Sequence, residues 1–425
     1  MLTQNYITKI EGHGKLKIDF DNNTAKLIVD EGERLFEGLV LGRPYQDIPF
    51  IVSRICGICP TSHYLASIKA LESALKIVPN HTSVELRKVL LLGQIAQSHI
   101  LHTFFLALPD YTNVKNVSDL AKKMPAEFSL ALKIKSTADQ VIKVIGGRAI
   151  HPVTPTIGGF YKLPNRSQLV TLRDKLEDNL PGILNLAKFF AGLNYPNHYC
   201  ENEYLAFQKD DEYAFYDGIV MSSGGHGFEP KKYKEYIKEV VKNYSSAKFA
   251  TIYGKEFMVG ALARVFLHPE KLQKKAANML NDYFPGHNFP SHNSFHNIFA
   301  QIIEILHCFE EMINILNRTI KYGLEESSIV SHTRCVKFDH IGCVAEGIGA
   351  IEAPRGTLYH YYKIDKNGLI IDCDIVTPTV QNLSNLEKNT NKLMDNTKNL
   401  PQKKREQLIE MLIRAYDPCI TCSVH

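Results

Sequence analysis

The chain has no tryptophan and no excess of charge of either sign among its 425 residues. Its 49 lysines and arginines and 45 aspartates and glutamates leave a net charge of only +4. A charge this balanced argues against nucleic acid or an anionic membrane surface as a partner. The apolar share of 44% is that of an ordinary soluble globular protein, and the length permits a large core.

A secretion signal and an uninterrupted membrane-spanning run are also missing from the sequence. Polar side chains interrupt the most apolar long stretch, 89–108, among them Gln94, Gln97, Ser98, His99 and His102. That stretch therefore predicts a buried core helix and no direct membrane insertion. Nine cysteines is an odd count, without the dense spacing of a disulfide scaffold. Together these features predict a cytoplasmic protein in a reducing compartment.

Two Cys-x-x-Cys pairs, Cys56/Cys59 and Cys419/Cys422, lie near opposite ends of the chain. Four thiolates are a common ligand set for a soft or borderline metal. The pairs of a zinc ribbon are normally about 15–20 residues apart. A metal held by all four of these sulfurs would tie the last residues to the first part of the fold. Spacing alone leaves three interpretations open: a structural zinc site, a redox-active metal and a pair of redox dithiols.

Hydrophobic periodicity predicts a mainly α fold, a long-helix bundle with small β additions. Helices are predicted at 60–75, 83–108, 126–145, 293–322 and 402–416, and the second is expected to stop at Pro109. The β additions are an N-terminal sheet in a β-rich part, 1–45, and a late hairpin with strands 358–364 and 369–376 in the mostly helical body, 46–425. Residues 195–260 give weak signals. We expect one domain over 1–425, because both cysteine pairs must meet.

Five segments together resemble the large, catalytic subunit of nickel–iron hydrogenases, in the order of that family. They are Ile10-Glu11-Gly12-His13, Glu37, the stretch 54–63 (RICGICPTSH), the stretch 352–356 (EAPRG) and the stretch 417–425 (DPCITCSVH). The resemblance runs from one end of the chain to the other. The sequences of 352–365 and 146–152 are most similar to those of the cytoplasmic bidirectional and cofactor-linked branches of this family.

The resemblance implies a nickel–iron centre that interconverts H2 with protons and electrons. Cys56 and Cys419 would bind nickel terminally, and Cys59 and Cys422 would bridge it to an iron that carries CO and cyanide ligands. Splitting H2 requires an open metal position and a nearby base, and a terminal thiolate can act as that base. Glu11 matches the family's proton-transferring glutamate; without the motif it would be a solvated strand-edge residue.

Further matches imply residues that surround the metals. Arg355 and Pro354 would cover the centre, because a guanidinium is a strong, permanently charged donor for a cyanide nitrogen. The resemblance also places donors to the second cyanide at Thr377, Pro378 and Thr379. His63 would donate to a bridging sulfur, and Asp417 would contact Arg355 or the cover of the site. The plain alternatives are a turn arginine, a core histidine and a helix-end aspartate.

Glu37 and His425 match the ligands of a magnesium-type ion near the C-terminus; the alternative is a solvated glutamate and a frayed terminal histidine. Many membrane-bound relatives carry an aspartate where this chain has Ser98, which weakens any claim to a second carboxylate over the metals. His99 and His102 are expected to be packed core histidines. The end at His425 fits either a processed chain or a member without an extension.

The remaining cysteines are scattered and form no iron–sulfur binding run: Cys200, Cys308, Cys335, Cys343 and Cys373. The sequence also has no Gly-x-Gly-x-x-Gly after a strand and no Walker loop. A catalytic chain of this family would therefore need an iron–sulfur small subunit to take its electrons. Any nicotinamide, flavin or deazaflavin site would lie on another subunit, such as a diaphorase.

Three other functions remain open at this point. One is a hydrogen sensor of the same fold with little turnover. Another is a structural relative of a respiratory complex I subunit, which the four cysteines argue against. The last is a zinc-clamped protein without redox chemistry.

Overall fold

The computed structural model of the chain describes residues 2–114, 116–284, 291–330 and 344–425. Its longer α-helices are Pro60–Leu75, His81–Ile100, Pro125–Gly146, Arg166–Ala191, Asn297–Tyr322, Pro378–Asn396 and Gln402–Ala415. Shorter α-helices are Phe36–Val40, Ile48–Val52, Leu108–Thr112, Val117–Lys123, Tyr233–Tyr236, Ala261–Leu267, Lys274–Tyr283 and Ile420–Ser423. The mainly α prediction is confirmed, and all five predicted helices are present.

Four of the long helices form a bundle: His81–Ile100, Pro125–Gly146, Arg166–Ala191 and Asn297–Tyr322. Local chemistry fixes where two of them begin. The side chain of Asn80 accepts a hydrogen bond from the Ser83 N–H, and Asn165 forms a reciprocal capping box with Gln168. The helix predicted at 126–145 ends at Gly146, and the following Gly147 has the left-handed conformation of a helix C-cap, with a φ of 81°.

The predicted stop at Pro109 is wrong. The helix continues through a π-helical segment, Leu101–Ala107, into Leu108–Thr112. The π segment shifts the hydrogen-bond register, so that Pro109 falls in the first turn of a new α segment, where no N–H is needed. The whole stretch His81–Thr112 is long and apolar enough to cross a membrane, but 83% of its most apolar window is buried inside the protein.

The N-terminal sheet contains three antiparallel strands, Leu2–Tyr6, Gly14–Asp19 and Thr24–Val29. The alternation at 16–20 and 25–29 points one face into the core, where Leu16, Leu27 and Val29 are buried.

The late hairpin is confirmed as Gly356–Asp365 paired with Ile370–Val376, and a third strand, Val344–Ala353, joins it. Gly347 and Gly349 of the added strand face the Pro60–Leu75 helix. A Cβ at Gly349 would overlap the backbone of Ala66 and Ala70. The two glycines therefore let the sheet approach this helix closely, and Cys59 lies at the start of that helix.

The weak signals of 195–260 correspond to short strands, which the sequence patterns did not resolve. Glu203–Gln208, Ile219–Ser222, Gly227–Phe228 and Phe257–Met258 form one sheet, and Ile237–Val240 pairs with Phe249–Ile252. A two-residue pair, Pro155–Thr156 with Gly159–Phe160, completes the described strands.

Candidate metal centre

Four sulfur atoms from the two ends of the chain meet in one buried cluster. The Sγ atoms of Cys56, Cys59, Cys419 and Cys422 all lie within 4.8 Å of one another. Their side chains are at most 6% exposed. The shortest sulfur–sulfur separations are 3.1 Å for Cys419–Cys422 and 3.3 Å for both Cys56–Cys419 and Cys59–Cys422. All are far longer than a disulfide bond of about 2.05 Å.

The sulfur cluster has the size and chemistry of a metal site. A metal about 2.3 Å from each of four sulfurs puts neighbouring sulfurs about 3.8 Å apart in a tetrahedron. All four side chains are buried. Four thiolates gathered in a buried site require a cation, which the donor set is suited to hold.

The first cysteine pair lies where a helix begins. Cys56 follows the 3-10 turn Ser53–Ile55, and Cys59 directly precedes the Pro60–Leu75 helix, whose first residue is the proline that suits this position. The backbone N–H groups of Ile58 and Cys59 donate to the Cys56 sulfur at 3.2 and 3.3 Å. These donors and the positive end of the helix favour a thiolate at Cys56.

The second pair is held by the N-terminal segment. The Ile420 N–H donates to the carbonyl of Glu11 at 3.0 Å, and the Arg34 N–H donates to the carbonyl of Val424 at 2.9 Å. The Arg34 guanidinium also donates to the carbonyls of Ile55 and Thr421. Arg34 thereby ties the two cysteine segments together, a role that no sequence motif indicated.

The Glu11 carboxyl group lies against the sulfur of Cys419. Its Oε2 is 3.1 Å from that sulfur and accepts the Thr421 N–H at 3.1 Å, and its Oε1 accepts the Thr421 hydroxyl. Burial, together with the neighbouring Cys419, raises the pKa of Glu11 to about 8. The carboxyl group thus lies beside a sulfur of the cluster with a pKa close enough to neutral that it can both take up and release a proton.

Arg355 lies at the tip of the hairpin between Val344–Ala353 and Gly356–Asp365, in a two-residue loop with Pro354. Its Nε and one terminal nitrogen donate to the Asp417 carbonyl and carboxylate, both at 2.7 Å. The other terminal nitrogen donates to the Ser98 hydroxyl at 3.1 Å. Although burial opposes its charge, Asp417 and the cysteines keep the pKa of Arg355 above its ordinary value. The expected contact between Asp417 and Arg355 is therefore present, and Ser98 completes it.

A buried charge cluster supports this loop. Arg264, 1% exposed, donates to both oxygens of Glu304 at 2.6 and 2.7 Å and to Glu352 at 2.8 Å. The same guanidinium donates to the carbonyls of Ala353 and Pro354 at 3.1 Å. Sequence reasoning missed Arg264 and Glu304, because nothing near them in the chain marks them.

The other residues expected around the centre also lie near the cysteine segments. The Nε2 of His63 is 3.8 Å from the Cys422 sulfur. The Thr377 hydroxyl donates to the Cys422 carbonyl at 3.1 Å, and the Thr379 hydroxyl accepts the Cys419 N–H at 3.2 Å. Pro378 is the first residue of the Pro378–Asn396 helix.

Glu37 and His425 lie close together at the end of the chain. Glu37 Oε1 is 4.0 Å from His425 Nε2 and accepts the Ile375 N–H at 2.8 Å. Both ring nitrogens of His425 lie 2.7 Å from carbonyl oxygens, those of Cys422 and Ile375. A neutral imidazole has one N–H and can donate to only one of them.

Glu239, close to Glu37 and His425, is a second feature that is compatible with a bound cation. The Oε2 of Glu239 accepts from Lys248 at 2.9 Å, but its buried Oε1 has no hydrogen-bond partner among the described residues. The Lys248 ammonium is also 3.8 Å from Glu37. Oxygen-rich groups of this kind suit a hard cation such as Mg²⁺.

The remaining histidines and cysteines can also be placed in the structure. His99 and His102 are buried and bond to Glu304 and Gln301, as packed core histidines should. Cys308 is a fully buried core residue. The seven described cysteines are free, whereas Cys335 and Cys343 lie outside the described residues.

Four buried thiols, with a carboxyl group and an arginine beside them, lie together inside a mainly helical protein. This arrangement is typical of metalloproteins that bind their metal through cysteine thiolates.

Comparisons with known proteins identify the family within this class. The family model described as nickel-dependent hydrogenase matches residues 34–130 and 197–425. The chain is 33% identical to the alpha chain of sulfhydrogenase 1 of Pyrococcus furiosus, covering 100% of this chain and 97% of the relative. It is 30% identical to a subunit of the F420-non-reducing hydrogenase vhc of Methanococcus voltae, covering 99% and 94%.

A solved structure agrees with these sequence comparisons. The NAD+-reducing nickel–iron hydrogenase in its H2-reduced state superposes with a TM-score of 0.85, at 26% identity, over 100% of this chain and 99% of that one. The chain belongs to the nickel-dependent hydrogenase family. It is a hydrogenase large subunit, and its four-cysteine site is suited to a nickel–iron centre.

Proposed function

We propose that the chain is the catalytic subunit of a nickel–iron hydrogenase that interconverts H2 with two protons and two electrons. The observation that carries the proposal is the meeting of four buried sulfurs with the Glu11 carboxyl group 3.1 Å from Cys419. Cys56 and Cys419 would hold nickel terminally, and Cys59 and Cys422 would bridge it to an iron with CO and cyanide ligands. A bound centre of this kind supplies an open metal position and a change of redox state.

The chain's own part in the reaction is first to move the proton. The Cys419 sulfur is the base, and Glu11 takes the proton from it. Two bonds from Thr421 hold the carboxyl group in place, so that one oxygen faces the sulfur throughout. A positioned acid of this kind contributes about 10²–10⁴-fold to a rate.

The second part is to cover the iron's diatomic ligands. Arg355 presents a fixed, charged donor surface, and Pro354 shapes the loop that carries it. The Thr377 hydroxyl already donates to Cys422. Donors to the second cyanide would therefore be the Thr379 hydroxyl and backbone N–H groups in the first turn of the Pro378–Asn396 helix.

The third part is to anchor the tail. Glu37, His425 and the Ile375 carbonyl would hold a magnesium ion, and this ion would fix the segment that ends in Cys422. One domain over 1–425 follows from the proposal, because both ends of the chain contribute to one centre.

Electrons must leave through another protein, since the described residues contain no second cysteine cluster. Both relatives named above belong to hydrogenases of more than one chain by their names, which supports a partner of the iron–sulfur small-subunit type. A diaphorase or another electron-transfer subunit could follow it. We place the complex in the cytoplasm, where free cysteines stay reduced.

Infrared spectroscopy of the purified complex tests the proposal. We expect absorption bands of metal-bound CO and cyanide, a region where protein groups absorb weakly. Reduction of a redox dye by H2 at ordinary enzymatic rates separates an enzyme from a sensor of the same fold. A complex that contains one zinc, no nickel and no such bands would contradict the proposal.

A further inference from the structure

A row of hydrogen-bonding groups leads away from the Cys422 sulfur into the protein. His63 Nε2 lies 3.8 Å from that sulfur, and His63 Nδ1 lies 3.1 Å from His360 Nε2. His360 Nδ1 in turn lies 2.7 Å from the hydroxyl of Tyr362. The three side chains are at most 1% exposed, so water does not compete for these bonds.

This row of hydrogen-bonding side chains depends on the close packing of the Pro60–Leu75 helix against the sheet that contains Gly356–Asp365. In the strand register Gly349 is opposite His360 and Gly347 is opposite Tyr362, so all four residues face the Pro60–Leu75 helix. The two glycines allow the helix to come close, and the two large polar side chains occupy the space beside them. His63 lies in the first turn of that helix, and its ring meets the ring of His360 edge-on, with centroids 5.3 Å apart.

The direction of the hydrogen bonds depends on Cys422. Both rings are buried in the protein interior, which favours the neutral imidazole, and a neutral imidazole carries a single N–H. A metal-bound thiolate has no proton and can only accept, so His63 Nε2 must donate to it. His63 Nδ1 then accepts from His360 Nε2, and His360 Nδ1 accepts from the Tyr362 hydroxyl.

We infer that His360 and Tyr362 are positioning residues that hold His63 in the tautomer that donates to the Cys422 sulfur. The inference rests on the proposed function, because it needs a metal-bound sulfur at Cys422. The bond from His63 withdraws electron density from the sulfur, which weakens its donation to the iron. Removal of the Tyr362 hydroxyl or of the His360 N–H allows the other tautomer, in which His63 Nε2 no longer donates.

Infrared spectra of the complex carrying Tyr362→Phe, His360→Leu or His360→Gln test this. We expect the CO band to move to lower wavenumber in Tyr362→Phe and further in His360→Leu, because a more electron-rich iron weakens the CO bond. His360→Gln can present an amide N–H to His63 Nδ1 and should restore the band towards its original position. Tyr361→Phe is the matched control: this neighbouring tyrosine lies on the opposite face and bonds to Glu346, so the band should stay in place.

The outcomes separate the two proposals. A wild-type complex without CO and cyanide bands would contradict the proposed function and this inference with it. Bands that are present in the wild type but do not move in Tyr362→Phe or His360→Leu would overturn the inference alone. The same holds if Tyr361→Phe moves the band as far as Tyr362→Phe does.

Discussion

At the scale of single residues, the proposed proton transfer depends on Glu11. Glu11→Gln keeps the size of the side chain and an oxygen for the Thr421 bonds but cannot take up a proton. We expect H2/D2O exchange, followed by mass spectrometry, to fall by about 10²-fold or more while nickel and iron stay bound. Glu33→Gln, an exposed glutamate of the next segment, is the control and should leave exchange unchanged. Full exchange in Glu11→Gln would remove Glu11 from the mechanism.

Arg355 donates three hydrogen bonds that a lysine at the same position could not all make. Arg355→Lys keeps the charge, but one ammonium group cannot reach both Asp417 acceptors and the Ser98 hydroxyl at once. Each charged hydrogen bond that is lost should lower the free energy of unfolding by about 1.5–3 kcal/mol. Denaturant unfolding of the purified complex measures this. Arg173→Lys is the control, because this partly exposed arginine pairs only with the neighbouring Asp174 among the described residues, and the change should alter stability by less than about 0.5 kcal/mol. Equal effects in both variants would contradict the role given to the Arg355 bonds.

The residues around the sulfur cluster were predictable where they stand beside a cysteine motif or match a family segment. Glu11, Arg355, Glu37 and His425 belong to such segments. Arg34, Arg264 and Glu239 were not foreseen, because their partners are distant in the chain and become neighbours only after folding. Arg355 and Ser98 are 257 positions apart in the sequence, so no local sequence pattern could predict their contact.

At the scale of elements, the Pro60–Leu75 helix depends on two glycines for its position. Gly349→Ala would place a Cβ against the backbone of Ala66 and Ala70. We expect the free energy of unfolding to fall by about 1–3 kcal/mol, with less nickel per chain because Cys59 precedes this helix. Thermal unfolding and metal analysis measure both effects. Gly32→Ala meets no atom within 4 Å and should be near neutral; a Gly349→Ala variant that behaves in the same way would disprove the packing argument.

The hairpin that carries Arg355 depends on Arg264. Arg264→Met leaves the carboxylates of Glu304 and Glu352 buried without their cation and frees two loop carbonyls. Breaking a buried ion pair of this kind costs about 3–5 kcal/mol, which denaturant unfolding detects. Arg318→Met removes the half-exposed partner of Glu85 and should cost no more than about 1 kcal/mol. Similar losses in the two variants would speak against a special role for the buried cluster.

Helices were predicted better than strands, for a physical reason. A helix of 20 residues repeats its apolar spacing several times, whereas strands such as Gly227–Phe228 and Phe257–Met258 are two residues long and carry no period. The error at Pro109 has another origin. The π segment before it, Leu101–Ala107, depends on tertiary packing that the local sequence does not encode.

At the scale of the whole molecule, the centre forms only when the fold brings both ends of the chain together. The N-terminal segment contributes Glu11 and Arg34, the first helical part contributes Cys56 and Cys59, and the last residues contribute the remaining two sulfurs. A metal that binds only this folded arrangement stabilises the protein by mass action. Metal loading and the stability of the chain should therefore rise together.

X-ray absorption at the nickel edge of the purified complex shows whether one metal is bound by all four sulfurs. We expect one nickel per chain with four sulfur neighbours. That nickel should be lost in Cys419→Ala but kept in Cys308→Ala, where a buried cysteine outside the centre is removed. Nickel surrounded by nitrogen and oxygen only, or its retention in Cys419→Ala, would contradict the convergence of the two cysteine pairs on a single metal.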